Sequence, residues 1–84
     1  MPASVAAVRQ ADAELDATGL SCPEPLMLLR HKMRELAPGA VLYVRATDPS
    51  TERDFQNYCR FVGHTLIATE RREDCYEFWL RHTA

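Results

Sequence analysis

The sequence predicts an α+β two-layer sandwich, with two helices packed on one face of a four-stranded mixed sheet. Two stretches, near residues 23–36 and 49–62, have the three- and four-residue spacing of apolar side chains that is typical of amphipathic helices. Shorter apolar or alternating stretches lie around them, and the resulting order is strand, helix, strand, helix, strand, strand. With 84 residues, the chain is long enough for one compact domain.

The first half of the chain is expected to fold as a strand followed by a helix. Residues 13–17 alternate polar with apolar side chains, as an edge strand does, and Thr18-Gly19 interrupts the alternation. From residue 23 to 36 the apolar side chains share one helical face. That face consists of Leu26, Leu29, Met33 and Leu36, and Pro38-Gly39 is expected to end the helix.

The second half is expected to contain the central strand, the second helix and a hairpin. Residues 40–46 are nearly all apolar and rich in β-branched and aromatic side chains, which is typical of a strand inside a sheet. Asp48 before Pro49 has the pattern of a helix N-cap, and Gly63 suits a left-handed C-terminal residue. Residues 65–69 and 75–81 are expected to form an antiparallel hairpin. The second helix should bury Phe55, Tyr58, Cys59 and Val62.

Composition limits the possible classes of function. A formal net charge of −2 is unlike the basic excess of a dedicated nucleic-acid binder, so direct nucleic-acid binding is not expected. No stretch approaches the roughly 18 consecutive apolar residues of a membrane span, and we expect neither membrane insertion nor a signal peptide. Three cysteines, an odd number, favour a reducing compartment over a disulfide scaffold. We therefore expect a cytoplasmic monomer with a flexible segment at residues 1–12 and one domain at residues 13–84.

The most informative motif surrounds Cys22. Cys22-Pro23-Glu24-Pro25 stands where a strand gives way to a helix, and proline is tolerated in a first helical turn because its missing N–H has no partner there. The positive end of the helix favours the reactive thiolate, whereas the Glu24 carboxylate disfavours it. The alternative is a cysteine that merely starts a helix, since free cysteines are often small buried hydrophobes. The local pattern leaves both interpretations open.

A strip of side chains expected to be exposed lies beside this motif on the first helix. Arginine is enriched at protein interfaces, and an exposed methionine is an adaptable apolar contact. We therefore expect Met27, Arg30 and Arg34 to bind a partner protein. A solvated helix face without a binding role is the alternative.

Further residues extend the motif along the chain. They are Leu15-Asp16 and Gly19-Leu20 before Cys22, then Asp48-Pro49-Ser50-Thr51 with Arg53-Asp54, then Tyr58-Cys59 and Gly63-His64. Together they resemble the TusA family of sulfur-carrier proteins, whose defining motif is a Cys-Pro-x-Pro element that opens the first helix. The resemblance runs from about residue 14 to the C-terminus and so covers nearly the whole domain.

The resemblance implies a cytoplasmic protein that takes sulfur, as a cysteine persulfide, from a cysteine desulfurase and relays it to an acceptor protein. Cys22 would be the catalytic, persulfide-bearing residue, supported by Pro23, Glu24, Pro25 and Asp48, and no metal or other cofactor is implied. In the best-known branch the sulfur ends in the 2-thiouridine of a tRNA wobble position. Other branches serve molybdenum-cofactor maturation or sulfur oxidation, and the motif does not separate them.

Other interpretations have less support. A thioredoxin-like redox pair is disfavoured because no second cysteine lies three residues after Cys22. A regulatory or interaction module on the same scaffold, which carries no sulfur, stays open as an alternative. A metal site lacks any Cys-x-x-Cys or paired-histidine spacing, although it could draw on Cys22, Cys59, Cys75, His31, His64 and His82.

Overall fold

The computed structural model describes residues 11–83, in which strands and helices follow one another in the expected order. Strand β1 spans Ala13–Ala17, helix α1 Glu24–Arg34, strand β2 Val41–Ala46, helix α2 Thr51–Val62, strand β3 Thr65–Arg71 and strand β4 Tyr76–Arg81. The predicted α+β class is confirmed. Residues 1–10 of the predicted flexible segment, 1–12, lie outside the described residues. None of the described helices is long and apolar enough to cross a membrane.

The strands form one mixed sheet in the order β1-β2-β4-β3. β1 and β2 are parallel neighbours, with Leu15 opposite Val44 and Ala17 opposite Ala46. β4 pairs antiparallel with β2 on one side and with β3 on the other. Because β1 and β2 run in the same direction, their carboxyl ends lie at one edge of the sheet. The loops that lead into α1 and α2 therefore start side by side.

Both helices pack on the same face of the sheet and share one hydrophobic core. Phe55 of α2 and Phe78 of β4 meet edge to face, with ring centroids 4.6 Å apart. The core also buries Leu29 and Met33 of α1, Cys59 of α2, and Leu42, Val44 and Leu80 of the sheet. This packing fixes both helices relative to the sheet edge and so fixes the two loops that precede them.

The first helix is shorter than predicted. It begins at Glu24 and ends at Arg34, two residues before Leu36. The amides of Glu35 and Leu36 bond to carbonyl groups three residues back instead of four, which is the tighter geometry common at helix ends. Leu36 nevertheless packs against the core, as its place on the apolar face predicts.

The start of the second helix corrects a further prediction. The helix begins at Thr51, and Ser50, not Asp48, is its N-cap residue. The Asp48 side chain instead accepts the amide of Ser50, in a local turn that aspartate forms readily. At the other end, Gly63 closes the helix in the left-handed conformation at φ 98°, as predicted.

The predicted burial of Val62 is also wrong, because this side chain is 45% exposed. The buried stripe of α2 follows a four-residue step through Thr51, Phe55 and Cys59, and its next position is Gly63. Val62 precedes Gly63 by one residue and is therefore rotated by about 100° from that stripe. Its side chain lines a groove between the two helices.

Candidate functional site

Cys22 lies in the loop between β1 and α1, two residues before the helix begins. Its thiol is free and exposed to solvent. Pro23 occupies the N-cap position of α1, and Pro25, within the first turn, is buried. The Cys22–Pro23 peptide bond is cis. A buried proline at the start of α1 thus anchors the loop that bears the exposed sulfur.

Asp48 joins this loop to the neighbouring loop, which follows β2. Its Oδ2 accepts the backbone N–H of Cys22 at 2.5 Å, and its Oδ1 accepts the amide and the hydroxyl of Ser50, each at 3.0 Å. The amides of Ser50 and Cys22 hold the pKa of Asp48 below its ordinary value. Gly19 adds a second link between the loops by donating its N–H to Thr47 Oγ1 at 2.9 Å. The backbone of Cys22 is therefore held by its neighbouring loop.

A second carboxylate contacts the sulfur itself. The Cys22 thiol donates to Oδ2 of Asp54, and the two atoms are 3.4 Å apart. Asp54 belongs to the first turn of α2, and its side chain is only 17% exposed. Nε of Arg53 lies 3.5 Å from the other oxygen of this carboxylate. Because α2 starts beside the loop of Cys22, a residue of its first turn reaches the thiol.

These surroundings favour the thiol over the thiolate. The hydrogen bond to Asp54 is the largest cause that raises the pKa of Cys22, and partial desolvation is the next. The hydroxyl of Ser50 opposes the increase, while the charges of Asp54 and Asp48 add to it. The free protein therefore holds the sulfur mainly as a hydrogen-bonded thiol.

The sequence left the protonation of Cys22 open between the helix start and a nearby carboxylate, and the raised pKa of Cys22 favours the thiol in the free protein. Pro23 and Pro25 have no N–H, and the amide of Glu24 donates to the carbonyl of Ser21 at 2.9 Å. The amide of Glu24, which lies between the two prolines, is thus already bonded. The carboxylates that raise the pKa of Cys22 are Asp54, through its hydrogen bond and its charge, and Asp48, through its charge.

The predicted partner-binding residues lie on an exposed side of α1. Met27 is 59% exposed, and Arg30 and Arg34 are also exposed. Within residues 11–83, neither guanidinium forms an ion pair. Burial raises the pKa of the Tyr58 hydroxyl, and the charges of Arg30 and Arg34 oppose that increase. This surface thus carries positive charges that no described carboxylate neutralises.

A groove between α1 and α2 adds an apolar surface that the sequence analysis missed. Its volume is about 800 Å³. Phe61, which lines it, is 91% exposed. Asp54, the acceptor of the Cys22 thiol, also lines the groove, so the groove opens beside the sulfur. Further lining side chains are Leu26, Arg30, Tyr58, Arg60 and Val62.

The other cysteines and the histidines lie in different surroundings. Cys59 is 3% exposed in the core, as predicted, and burial raises its pKa to about 11. Cys75 is half-buried just before β4. The rings of His64 and His82 contact each other with centroids 4.6 Å apart and are tilted by 42°. In the described part of the chain, no group of three or more histidine, cysteine, aspartate or glutamate side chains could hold a metal ion.

Asp54 and Ser50 received no individual role in the sequence analysis, although both lie within the wider motif. The signal for them was topological. A strand-helix-strand unit with parallel strands brings the loop before each helix to one sheet edge, so the first turn of the second helix must approach Cys22. Phe61 was missed because the apolar spacing of α2 singles out only the side chains of its core face, and Phe61 lies off that face.

Fold and site together define a small α+β domain that presents a single exposed thiol at a loop-to-helix junction. Residues 13–82 match the family described as Sulfurtransferase TusA, and the chain belongs to this family. Proteins named sulfur carrier protein TusA from Pseudomonas paraeruginosa and Pseudomonas entomophila are each 53% identical to it over 73 residues. The matches cover 87% of this chain and 92% and 91% of those relatives.

A solved structure gives an independent comparison of the fold. A SirA-like protein from Desulfitobacterium hafniense superposes with a TM-score of 0.74 at 20% sequence identity. The match covers 86% of this chain and 99% of that one. At this identity the likeness shows a shared fold, which agrees with the predicted two-layer sandwich.

Proposed function

We propose that this protein is a sulfur carrier that accepts persulfide sulfur on Cys22 from a cysteine desulfurase and passes it to an acceptor protein. Membership of the TusA family supports the class of function, as do close relatives named sulfur carrier proteins. The observation that carries the role of Cys22 is its exposed thiol, on a backbone held by Asp48. We further propose that residues 13–84 form the carrier domain and that it acts as a monomer in the cytoplasm.

The chemistry is displacement at sulfur. The thiol of Cys22 loses its proton, and its sulfur attacks the outer sulfur of the donor persulfide. The S–S bond of the donor breaks, and the donor cysteine leaves with the electron pair as a thiolate. In the second transfer, a thiolate of the acceptor attacks the outer sulfur carried by Cys22. The S–S bond breaks, and Cys22 leaves as a thiolate. Sulfane sulfur is transferred without net oxidation, so the protein would act as a sulfurtransferase that needs no electron carrier or metal.

The residues around Cys22 take separate roles in this proposal. Pro23 and Pro25 shape the start of α1, while Asp48 positions the backbone of Cys22. Glu24 is exposed in the first turn of α1, two residues after Cys22, where it can meet a partner protein. Met27, Arg30 and Arg34, with the groove beside them, form the docking surface for that partner, because a carrier must insert its thiol into the active site of another protein.

We propose the thiolation of the tRNA wobble uridine as the destination of the sulfur. This choice rests on the branch of the family that is best known, because the motif does not distinguish it from molybdenum-cofactor maturation or sulfur oxidation. A deletion strain should lose 2-thiouridine from its tRNA and keep molybdoenzyme activity. The reverse result would assign the protein to the molybdenum branch.

Mass spectrometry of the intact protein tests the sulfur-carrier role. Incubation with a cysteine desulfurase and cysteine should add the mass of one sulfur atom to the chain, and reduction should remove it. The Cys22→Ser variant should take up no sulfur, whereas Cys75→Ser, which keeps Cys22, should take it up normally. Absence of an adduct with several desulfurases would instead favour an interaction module that carries no sulfur.

A further inference from the structure

We propose that Asp54 is a further catalytic residue, which holds the Cys22 thiol as a hydrogen-bond donor in the free protein and accepts its proton when the sulfur attacks. The inference rests on the proposed sulfur-carrier function and extends it to a second residue. Its basis is the contact between Oδ2 of Asp54 and Sγ of Cys22, at 3.4 Å. That distance is within hydrogen-bonding range for sulfur, so the proton has a direct path to the carboxylate.

Asp54 suits this role better than Asp48 does. Both oxygens of Asp48 are already occupied, one by the amide of Cys22 and the other by the amide and hydroxyl of Ser50. These bonds stabilise the ionised form of Asp48 and lower its pKa, which makes it a weaker base. Asp54 accepts no backbone amide among the described residues, and its Oδ2 faces the thiol. Asp54 is thus the carboxylate that has an oxygen directed at the thiol of Cys22.

The charges around the sulfur explain why a proton acceptor is needed. Asp54 faces it from α2, with Arg53 beside the other oxygen of that carboxylate, and Asp48 faces it from the loop after β2. Glu24 lies in the first turn of α1, and Arg30 of the same helix lines the groove together with Asp54. Two nearby carboxylates raise the pKa of Cys22, so the protein alone keeps little thiolate at neutral pH. Such a thiol is protected from stray electrophiles until a donor persulfide is aligned with it.

The step balances as a proton transfer coupled to displacement. The S–H bond of Cys22 breaks, and its proton passes to Oδ2 of Asp54. A new S–S bond forms between Cys22 and the outer sulfur of the donor, while the S–S bond within the donor persulfide breaks. The donor cysteine leaves with the electron pair as a thiolate. The proton on Asp54 then returns to solvent, and the carboxylate is restored.

The test compares two reactions of the same thiol in Asp54→Asn protein. The first is alkylation of Cys22 by iodoacetamide, followed across pH at the Cys22 peptide. Loss of the carboxylate should lower the pH midpoint and raise the rate at pH 7 by roughly threefold or more, because the thiolate fraction increases. The second is single-turnover uptake of sulfur from a persulfide-loaded cysteine desulfurase. Uptake should become slower in the same variant, because asparagine cannot accept the proton.

The opposite directions of the two changes separate a catalytic role from a structural one. Glu52→Gln is the matched control, since it removes the same charge from the same helical turn without contact to Cys22, and it should alter neither reaction. Asp54→Glu, which restores a carboxylate, should recover part of the uptake. An unchanged alkylation profile in Asp54→Asn, or uptake that accelerates with alkylation, would overturn the proposal. Alkylation needs no desulfurase, so its result is distinct from a failure of the sulfur-carrier function itself.

Discussion

Asp48 and Asp54 contact the same residue, but they act on different groups of it. Asp48 accepts the backbone N–H of Cys22 and therefore sets the position of the chain, whereas Asp54 accepts the thiol and therefore acts on its protonation. Substitution of Asp48 should therefore change the exchange of the Cys22 amide, whereas substitution of Asp54 should change the reactivity of the Cys22 thiol. We therefore expect Asp48 to set where the sulfur is presented, and we propose that Asp54 sets when it becomes nucleophilic.

Asp48→Asn should loosen the loop of Cys22 without unfolding the domain. An asparagine side chain can still accept the amide of Ser50 through its oxygen, but it then presents an NH₂ group to the N–H of Cys22. Hydrogen exchange at the Cys22 amide should become roughly fivefold to tenfold faster, which corresponds to the net value of one hydrogen bond. NMR exchange rates measure this directly. Ser50→Ala, which leaves the bond to Cys22 in place, is the control, and equal rates in both variants would contradict the assignment.

The same bond predicts a pH dependence. Because the folded pKa of Asp48 is depressed, its contribution to stability is complete above the unfolded pKa of about 3.9 and is lost as the pH falls through the lower folded value. Protection of the Cys22 amide, corrected for intrinsic exchange, should therefore stay constant from neutrality to about pH 4 and decrease only below it. Loss of protection near pH 6 would point to a different group.

The sequence alone was sufficient to predict which cysteine is exposed, but not what surrounds its sulfur. Cys22 precedes two prolines at a helix start, and Cys59 lies on an apolar stripe, so their exposures follow from the local pattern. The contact with Asp54 joins residues 32 positions apart and depends on the parallel pairing of β1 and β2. Local patterns do not encode that pairing, which explains why the sequence pointed to Glu24, the nearest carboxylate along the chain, and not to Asp54.

At the scale of the elements, the interiors of both helices were predictable and their ends were less so. Apolar spacing located α1 and α2, since both must bury a face against the sheet. Their termini depend on bonds to individual groups. Asp48 has the right composition for an N-cap, and its Oδ1 accepts the amide of Ser50, yet the helix begins at Thr51 with Ser50 as its N-cap. The composition of the loop thus located the start of α2 only to within two residues.

The C-terminal end of α2 gives a prediction about backbone strain. Gly63 has a φ of 98°, and a Cβ atom added there would meet nothing within 4 Å. Gly63→Ala should therefore cost about 1 kcal/mol through the backbone alone, and lower the melting temperature of a domain this small by roughly 4–8 °C. Thermal unfolding followed by circular dichroism measures the change. Gly63→Asn should lose less, since asparagine tolerates the left-handed region better. Equal losses would indicate a cause other than φ.

Across the whole molecule, charge and apolar surface are distributed unevenly. The chain has a net charge of −2, yet the exposed side of α1 carries Arg30 and Arg34 without a described ion-pair partner. The groove next to them contains Phe61, the most exposed of the large hydrophobic side chains described. An apolar centre with an arginine rim is the usual composition of a protein interface. The net charge alone would have suggested a basic partner, whereas this surface predicts an acidic one.

Charge reversal distinguishes these two expectations. Arg30→Glu should weaken binding to a cysteine desulfurase by roughly tenfold, because it places like charges together at the docking surface, and added salt should reduce the difference from the parent chain. Arg81→Glu is the matched control, because Arg81 is also an exposed arginine. Arg81 of β4 pairs with Val41 at the start of β2, whereas the loop that contacts Cys22 follows the other end of β2. Titration calorimetry at two salt concentrations measures both variants. If Arg30→Glu and Arg81→Glu bind equally, total charge and not the surface around Cys22 governs docking. If only Arg30→Glu is weakened, the positive side of α1 lies against the donor.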